Sequence, residues 1–226
     1  MLNYPIEPAI LSPFVPNGTE LDSWNGTTYV SVVGFLFVNT RVSGLPIPFH
    51  RDFEEVNLRF YVRRQSPEGW RRGVVFLKEI VPRAMIALTA QTLYNEPYIA
   101  LPMSHRIEKH LGVIQAATYS WRFDGAKNRM SVQVRGGPEP LQEGSQAEFI
   151  TEHYWGYTAQ RDGSTLEYRV EHPRWQVYDV VESKLECDVV GLYGRQFVDV
   201  LGRPPTSAFL AEGSPVTVNR AVRLRQ

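Results

Sequence analysis

Glu55, Asn57, Arg59 and Tyr61 stand at alternate positions of the stretch FHRDFEEVNLRFYVRR. A carboxylate, an amide, a guanidinium and a phenol could together hold and work on a small molecule. The guanidinium clamps an anion, the carboxylate moves a proton, and the amide and phenol orient the ligand. Their spacing is that of one face of a β-strand, because successive side chains of a strand point to opposite sides of the sheet. Val56, Leu58, Phe60 and Val62 occupy the other face. The polar row either meets water or lines a cavity.

The next strand supplies a possible partner. QSPEGW is a turn, with Pro67 and Gly69 suited to tight geometry, and RRGVVFLKEIV returns from it. With Ser66–Gly69 as the loop, Tyr61 faces Val74, Arg59 faces Phe76 and Asn57 faces Lys78. Lys78, one of four lysines in the chain, then shares a face with Glu55, Asn57 and Arg59. A lysine beside an arginine in a water-poor cavity has a depressed pKa, since burial and like charge both disfavour the ammonium form. Its neutral amine can attack a carbonyl to form a Schiff base, with Glu55 shuttling protons. A slip of one residue exchanges the faces and puts Glu79 there instead. The plainer alternative is a salt-bridged row of Glu55, Arg59 and Lys78 on the solvent side of a sheet.

A second constellation lies on EFITEHYWGYTAQRDGSTLEYRVEHPRW. If Asp162-Gly163 centres a tight turn, His153 faces His172, Trp155 faces Val170 and Tyr157 faces Tyr168. Two imidazoles across a strand pair begin a metal site, but zinc needs a third protein ligand and none is in reach, so no metal or cofactor is expected. An aromatic-lined ligand pocket built from His153, Tyr157, Tyr168 and His172 is the better-supported reading. The alternative is that these rings cap the core with their polar tips wet. His105 and His110, in SHRIEKH, fit neither a helix pair nor one strand face and read as surface residues.

These residues need a β-rich frame. Asn25-Gly26 is a hairpin signal, since a type I′ turn needs positive φ at both central residues. TTYVSVVGFLFVNTRV is a strand buried on both sides or strongly curved, with Gly34 permitting a bend or bulge. AATYSWRF, RMSVQVR, AEFITEHYWGYTA, LEYRVEH and SPVTVNRAVRL read as further strands, several of them separated by turn residues such as Asp124-Gly125. RAMIALTAQTLYN reads as a helix after Pro82. The second half of SKLECDVVGLYGRQFVDVL leans helical as well. The expected fold is mainly β with a few helices, an antiparallel barrel or sandwich forming a single domain over residues 1–226.

Composition narrows the partners. Lys plus Arg (24) balance Asp plus Glu (24), which argues against a nucleic-acid binder or a polybasic membrane surface. No run reaches the roughly 18 apolar residues of a membrane span, and no signal peptide is visible. A cytoplasmic location follows as an expectation. The single cysteine, Cys187 in LECDVVGL, reads as a buried structural thiol. No G-x-S-x-G, phosphate-binding glycine loop, C-x-x-C or H-E-x-x-H occurs.

The stretches MLNYPIEPAILSPFVPNGTELDSWNGTTYVSVVGFLF, FHRDFEEVNLRFYVRR, RRGVVFLKEIVPR and FITEHYWGYT resemble the YqjF-like family of uncharacterised bacterial proteins, and TSAFLAEGSPVTVNRAVRL extends the likeness nearly to the end. The resemblance implies a fold like that of acetoacetate decarboxylase, a closed antiparallel β-structure around a polar cavity. That decarboxylase family uses a Schiff-base lysine within a lysine pair. Here Lys78 is followed by Glu79 and no Lys-Lys pair exists, so no decarboxylase residue transfers by motif. Two functions remain in view: binding of a small anionic or carbonyl-containing molecule, or decarboxylase- or lyase-like chemistry at Glu55 and Lys78 in the same cavity. A homo-oligomer is compatible with either.

Overall fold

The computed structural model describes residues 1–42, 45–46, 52–82 and 97–224. In chain order the strands begin with β1 (Leu2–Pro5), β2 (Glu20–Leu21), β3 (Tyr29–Phe37), β4 (Arg41–Val42), β5 (Leu45–Pro46), β6 (Phe53–Ser66), β7 (Gly69–Val81) and β8 (Tyr98–Ala100). There follow β9 (Met103–His110), β10 (Val113–Phe123), β11 (Ala126–Pro140), β12 (Trp155–Ala159), β13 (Thr165–Glu171) and β14 (Gln176–Glu186). The chain closes with β15 (Ser207–Ala211), β16 (Thr217–Val218) and β17 (Val222–Leu224). Short helices cover Pro8–Leu11, Gln146–Thr151, Val189–Tyr193 and Val198–Leu201. The helix expected over RAMIALTAQTLYN lies outside the described residues.

Fifteen strands form one sheet in the order β16-β13-β12-β7-β6-β3-β1-β15-β14-β11-β10-β9, with β17, β2 and β8 attached beside it. The expected closed barrel is not formed, because β9 and β16 end the path without pairing to one another. Nor is the sheet wholly antiparallel: β7 runs parallel to both β8 and β12. The sheet instead folds over on itself. Val30, Val32, Val56, Leu58, Phe60 and Val62 from β3 and β6 pack against Ala117, Tyr119, Trp121, Met130 and Val132 from β10 and β11. Gly34 serves this approach. Its strand pairs with β6 in unbroken register, so it makes no bulge, and a Cβ there would lie 2.8 Å from the Tyr119 ring.

The I′ turn expected at Asn25-Gly26 has positive φ at both central residues, and so does the turn at Asp124-Gly125. One strand expectation fails. AEFIT is a helix, Gln146–Thr151, because Ser145 Oγ accepts the amide of Glu148 while the Glu148 carboxylate accepts the amide of Gly144. These reciprocal bonds satisfy donors that the first turn leaves open, in the manner of a capping box. The helix lays Phe149 and Ile150 on the opposite face of the β6 region, beside Tyr29, Tyr61, Val74 and Phe209. Both faces of β6 are therefore covered, and its polar row is inside the molecule.

Candidate functional site

Glu55, Asn57 and Tyr61 are 2%, 0% and 1% exposed, and Arg59 is half-buried. They line one face of β6 as the alternation requires. The strand opposite departs from the simplest register. From Ser66 to Arg59 the pairs follow the four-residue loop, with Tyr61 opposite Val74 and Arg59 opposite Phe76. A bulge between Leu58 and Arg59 then inserts one residue into β7 and shifts the pairing, so that Asn57 faces Glu79 and Leu58 faces Lys78. A single inserted residue exchanges the faces of everything beyond it. Lys78 therefore leaves the polar face, which removes the register argument for a Schiff base there. Glu79, 1% exposed, replaces it.

The upper part of the face thus holds two carboxyls around one amide. Asn57 Nδ2 donates to Glu55 Oε1 at 3.0 Å, and the Tyr98 hydroxyl lies 3.5 Å from Glu55 Oε2. Asn57 Oδ1 is buried without a hydrogen-bond partner. Glu55 and Glu79 are diagonal neighbours across the strand pair.

The lower part is different. The Tyr61 hydroxyl donates to Ser31 Oγ at 2.7 Å, Ser31 Oγ donates to Asn3 Oδ1 at 2.7 Å, and Asn3 Nδ2 donates to Ser207 Oγ at 3.0 Å. This polar seam crosses β6, β3, β1 and β15. Its sequence signal was a lone polar residue in each of two apolar runs, LNYP and YVSVV. Arg59 lies beside the seam, with one Nη 3.3 Å from the Ile150 carbonyl and its Nε buried without a partner. The other arginines of the hairpin all have carboxylates: Arg63 pairs with Glu20, Arg64 and Arg71 with Glu167, and Arg72 with Asp22. Arg59 has none among the described residues.

His153 joins this lower part. It is buried, its ring centroid 4.7 Å from that of Tyr61 and 5.2 Å from that of Phe149. Its Nε2 lies 3.4 Å from Asp22 Oδ2. Burial pushes the imidazole down to about 4; Asp22 opposes the shift, and Arg72 and Arg59 add to it. Burial alone would raise Asp22, but the neighbouring His153 and the hydrogen-bonded Arg72 hold its carboxyl at about 2.

The rest of the second constellation is dispersed. Tyr157 faces Glu167 and Gly156 faces Tyr168, one residue away from the register of a two-residue turn. Only Gly163 of the Asp162-Gly163 pair has positive φ, so the loop runs longer. Tyr157 and Tyr168 consequently point to opposite faces. Tyr157 donates to Glu167 at 2.9 Å inside the Arg64–Arg71–Glu167 cluster, and Tyr168 packs over Gly156. His172 stacks on Trp175 at 4.1 Å, away from His153. The His153/His172 pair is thereby withdrawn as the start of a metal site. His105 is at the surface as expected, with Nδ1 2.8 Å from Glu54. Cys187 is half-buried, and burial, aided by Asp188, pushes its thiol up to about 12, which leaves it protonated.

Residues 1–215 match the family described as an uncharacterized conserved protein, DUF2071. The chain belongs to that family. A relative, the uncharacterized protein YqjF of Bacillus subtilis (strain 168), is 28% identical over 172 residues, 76% of this chain and 69% of YqjF. Among solved structures, the enduracididine biosynthesis enzyme MppR with HEPES buffer bound gives a TM-score of 0.66 at 12% identity, over 99% of this chain and 84% of MppR. MppR complexed with pyruvate gives 0.60 at 11% identity, over 90% and 78%. An acetoacetate decarboxylase-like enzyme from Sphingomonas wittichii RW1 gives 0.63 at 13% identity, over 99% and 89%. At these identities the likeness is one of fold, and the fold is acetoacetate decarboxylase-like. Among the described residues, no helix is long and apolar enough to cross a membrane.

Proposed function

We propose that this protein binds a small anionic, carbonyl-containing molecule on the buried face of β6, its anionic group on Arg59 and its carbonyl toward Asn57, Glu55 and Glu79. The observation that carries this is the uncompensated guanidinium. Buried or half-buried charges are normally paired, and four neighbouring arginines on the same hairpin obey that rule. Arg59 awaits an anion, and the neutral and acidic groups two and four residues away suit the rest of a short oxo acid. Pyruvate, with which the fold neighbour MppR has been complexed, is the natural first probe. Pyruvate titrated into the protein is expected to bind, and Arg59→Gln to weaken it about 30-fold or more, the scale of losing one partner of a buried charge pair. Equal affinity in the two proteins would refute the assignment.

A second reading, an enzyme, is favoured by Glu79 joining Glu55. None of the four lysines lies on this face: Lys78 points away from it, and Lys109, Lys127 and Lys184 are exposed. The chemistry that fits is proton transfer at the carbon beside the carbonyl, carried by carboxyl groups without an imine. In heavy water the protein is expected to exchange the methyl protons of pyruvate, and Glu79→Gln to slow this about 100-fold. Borohydride labelling of a lysine during turnover would exclude the imine-free route.

A further inference from the structure

His153 has no part in the carboxyl pair, yet it is placed where an anion on Arg59 would be felt. Its side chain is 1% exposed. The Tyr61 ring carries both groups, the guanidinium carbon 5.7 Å from its centroid and the imidazole 4.7 Å. The Ile150 carbonyl that accepts from Arg59 belongs to the same short helix that leads into His153. Asp22 Oδ2 faces Nε2 at 3.4 Å, yet neither Nε2 nor Nδ1 has a hydrogen-bond partner, so Nδ1 is a buried, unpartnered nitrogen.

The groups facing His153 are Asp22 from the segment before β3, Arg59 and Tyr61 from β6, Arg72 from β7 and Phe149 from the helix. The Met1 amine, pushed down to about 5 by burial and by Arg59, belongs to a residue packed in the same cluster. Asp22 and Arg72 form an ion pair at 2.7 Å. Burial and, more weakly, Arg72 and Arg59 oppose protonation of the imidazole, while Asp22 favours it. An anion on Arg59 would offset the charge of that guanidinium and so favour the imidazolium.

We propose that His153 is the proton-linked second donor of the anion subsite: an anion seated on Arg59 draws a proton from solvent onto the imidazole, so that binding and protonation proceed together. The inference rests on the reading of Arg59 given above and adds a specificity rule. The subsite takes monoanionic carboxylates more tightly in weak acid, whereas a neutral carbonyl compound gains nothing from the proton.

Calorimetry of pyruvate binding to the full chain, in buffers of different ionisation heat between about pH 5 and about pH 8, tests this. Pyruvate stays ionised over that range, so proton uptake must occur on the protein. The expected results are uptake of a fractional proton per pyruvate and a Kd that tightens about tenfold from the neutral to the acid end. In His153→Gln the Kd should lose its pH dependence. If that variant does not fold, wild-type proton uptake together with an imidazole NMR signal that titrates higher with pyruvate present carries the test. Pyruvate binding with no proton uptake, or a pH dependence retained by His153→Gln, would overturn the proton linkage while leaving Arg59 as the anion site. Absence of pyruvate binding at every pH would overturn both.

Discussion

At the scale of residues, one imidazole and one carboxylate make the fold sensitive to acid. His153 titrates at about 4 in the folded protein against 6.5 when free of burial, so the unfolded chain takes up its proton first. Stability contributed by the neutral ring is complete above about pH 6.5 and is lost as the pH falls toward about 4, roughly 3 kcal/mol in all. Asp22, held at about 2 against 3.8, adds a second loss that begins below its unfolded value and continues toward its folded one. Urea unfolding midpoints measured from about pH 8 to about pH 4 should decline in the upper window first. A midpoint flat down to about pH 4.5 would mean that His153 is hydrated or already charged. None of this was legible in the sequence, where His153 was set opposite His172. Its true neighbours, Asp22 and Arg59, are remote in the chain and meet only through the sheet and the helix Gln146–Thr151.

At the scale of elements, the sequence pattern carried the strands further than it carried their registers. The alternation in β6 correctly separated Glu55, Asn57, Arg59 and Tyr61 from the apolar face, and the turn at Pro67 set the pairing as far as Arg59. A bulge has no turn residue to announce it, so the exchange of Lys78 for Glu79 was visible only as an alternative. In the β12–β13 hairpin the aspartate before Gly163 does not adopt positive φ, and every pair moved by one. The helix Gln146–Thr151 did leave a signal in Ser145 and Glu148, outweighed by the aromatic, β-rich segment after it. Packing between elements gives a direct check. Gly34 sits where β3 approaches β10 and β11, with Tyr119 Cδ2 at 2.8 Å and Met130 Sδ at 3.1 Å from the position of a Cβ. Gly34→Ala should therefore destabilise the protein by about 1–3 kcal/mol, the usual cost of overpacking a filled core. An unchanged melting temperature would show that Tyr119 yields without strain.

At the scale of the whole molecule, the open sheet does by folding over what a closed barrel would do by pairing its edges. One face of β6 belongs to the core between the two halves of the sheet, and the other is roofed by a helix and by the aromatic groups around it. That second face holds the two carboxyls, the unsatisfied amide oxygen of Asn57 and the guanidinium of Arg59, which has no carboxylate among the described residues, within one strand's length. The acetoacetate decarboxylase-like fold was readable from long shared motifs, while closure was not, because neither periodicity nor turn chemistry records whether the last strands meet. The most direct test of the account is a crystal structure of the protein with pyruvate. We expect the carboxylate of pyruvate on Arg59, with its carbonyl oxygen within hydrogen-bond reach of Asn57, Glu55 or Glu79. Pyruvate bound elsewhere, with side chains packed shut around Arg59, would contradict it.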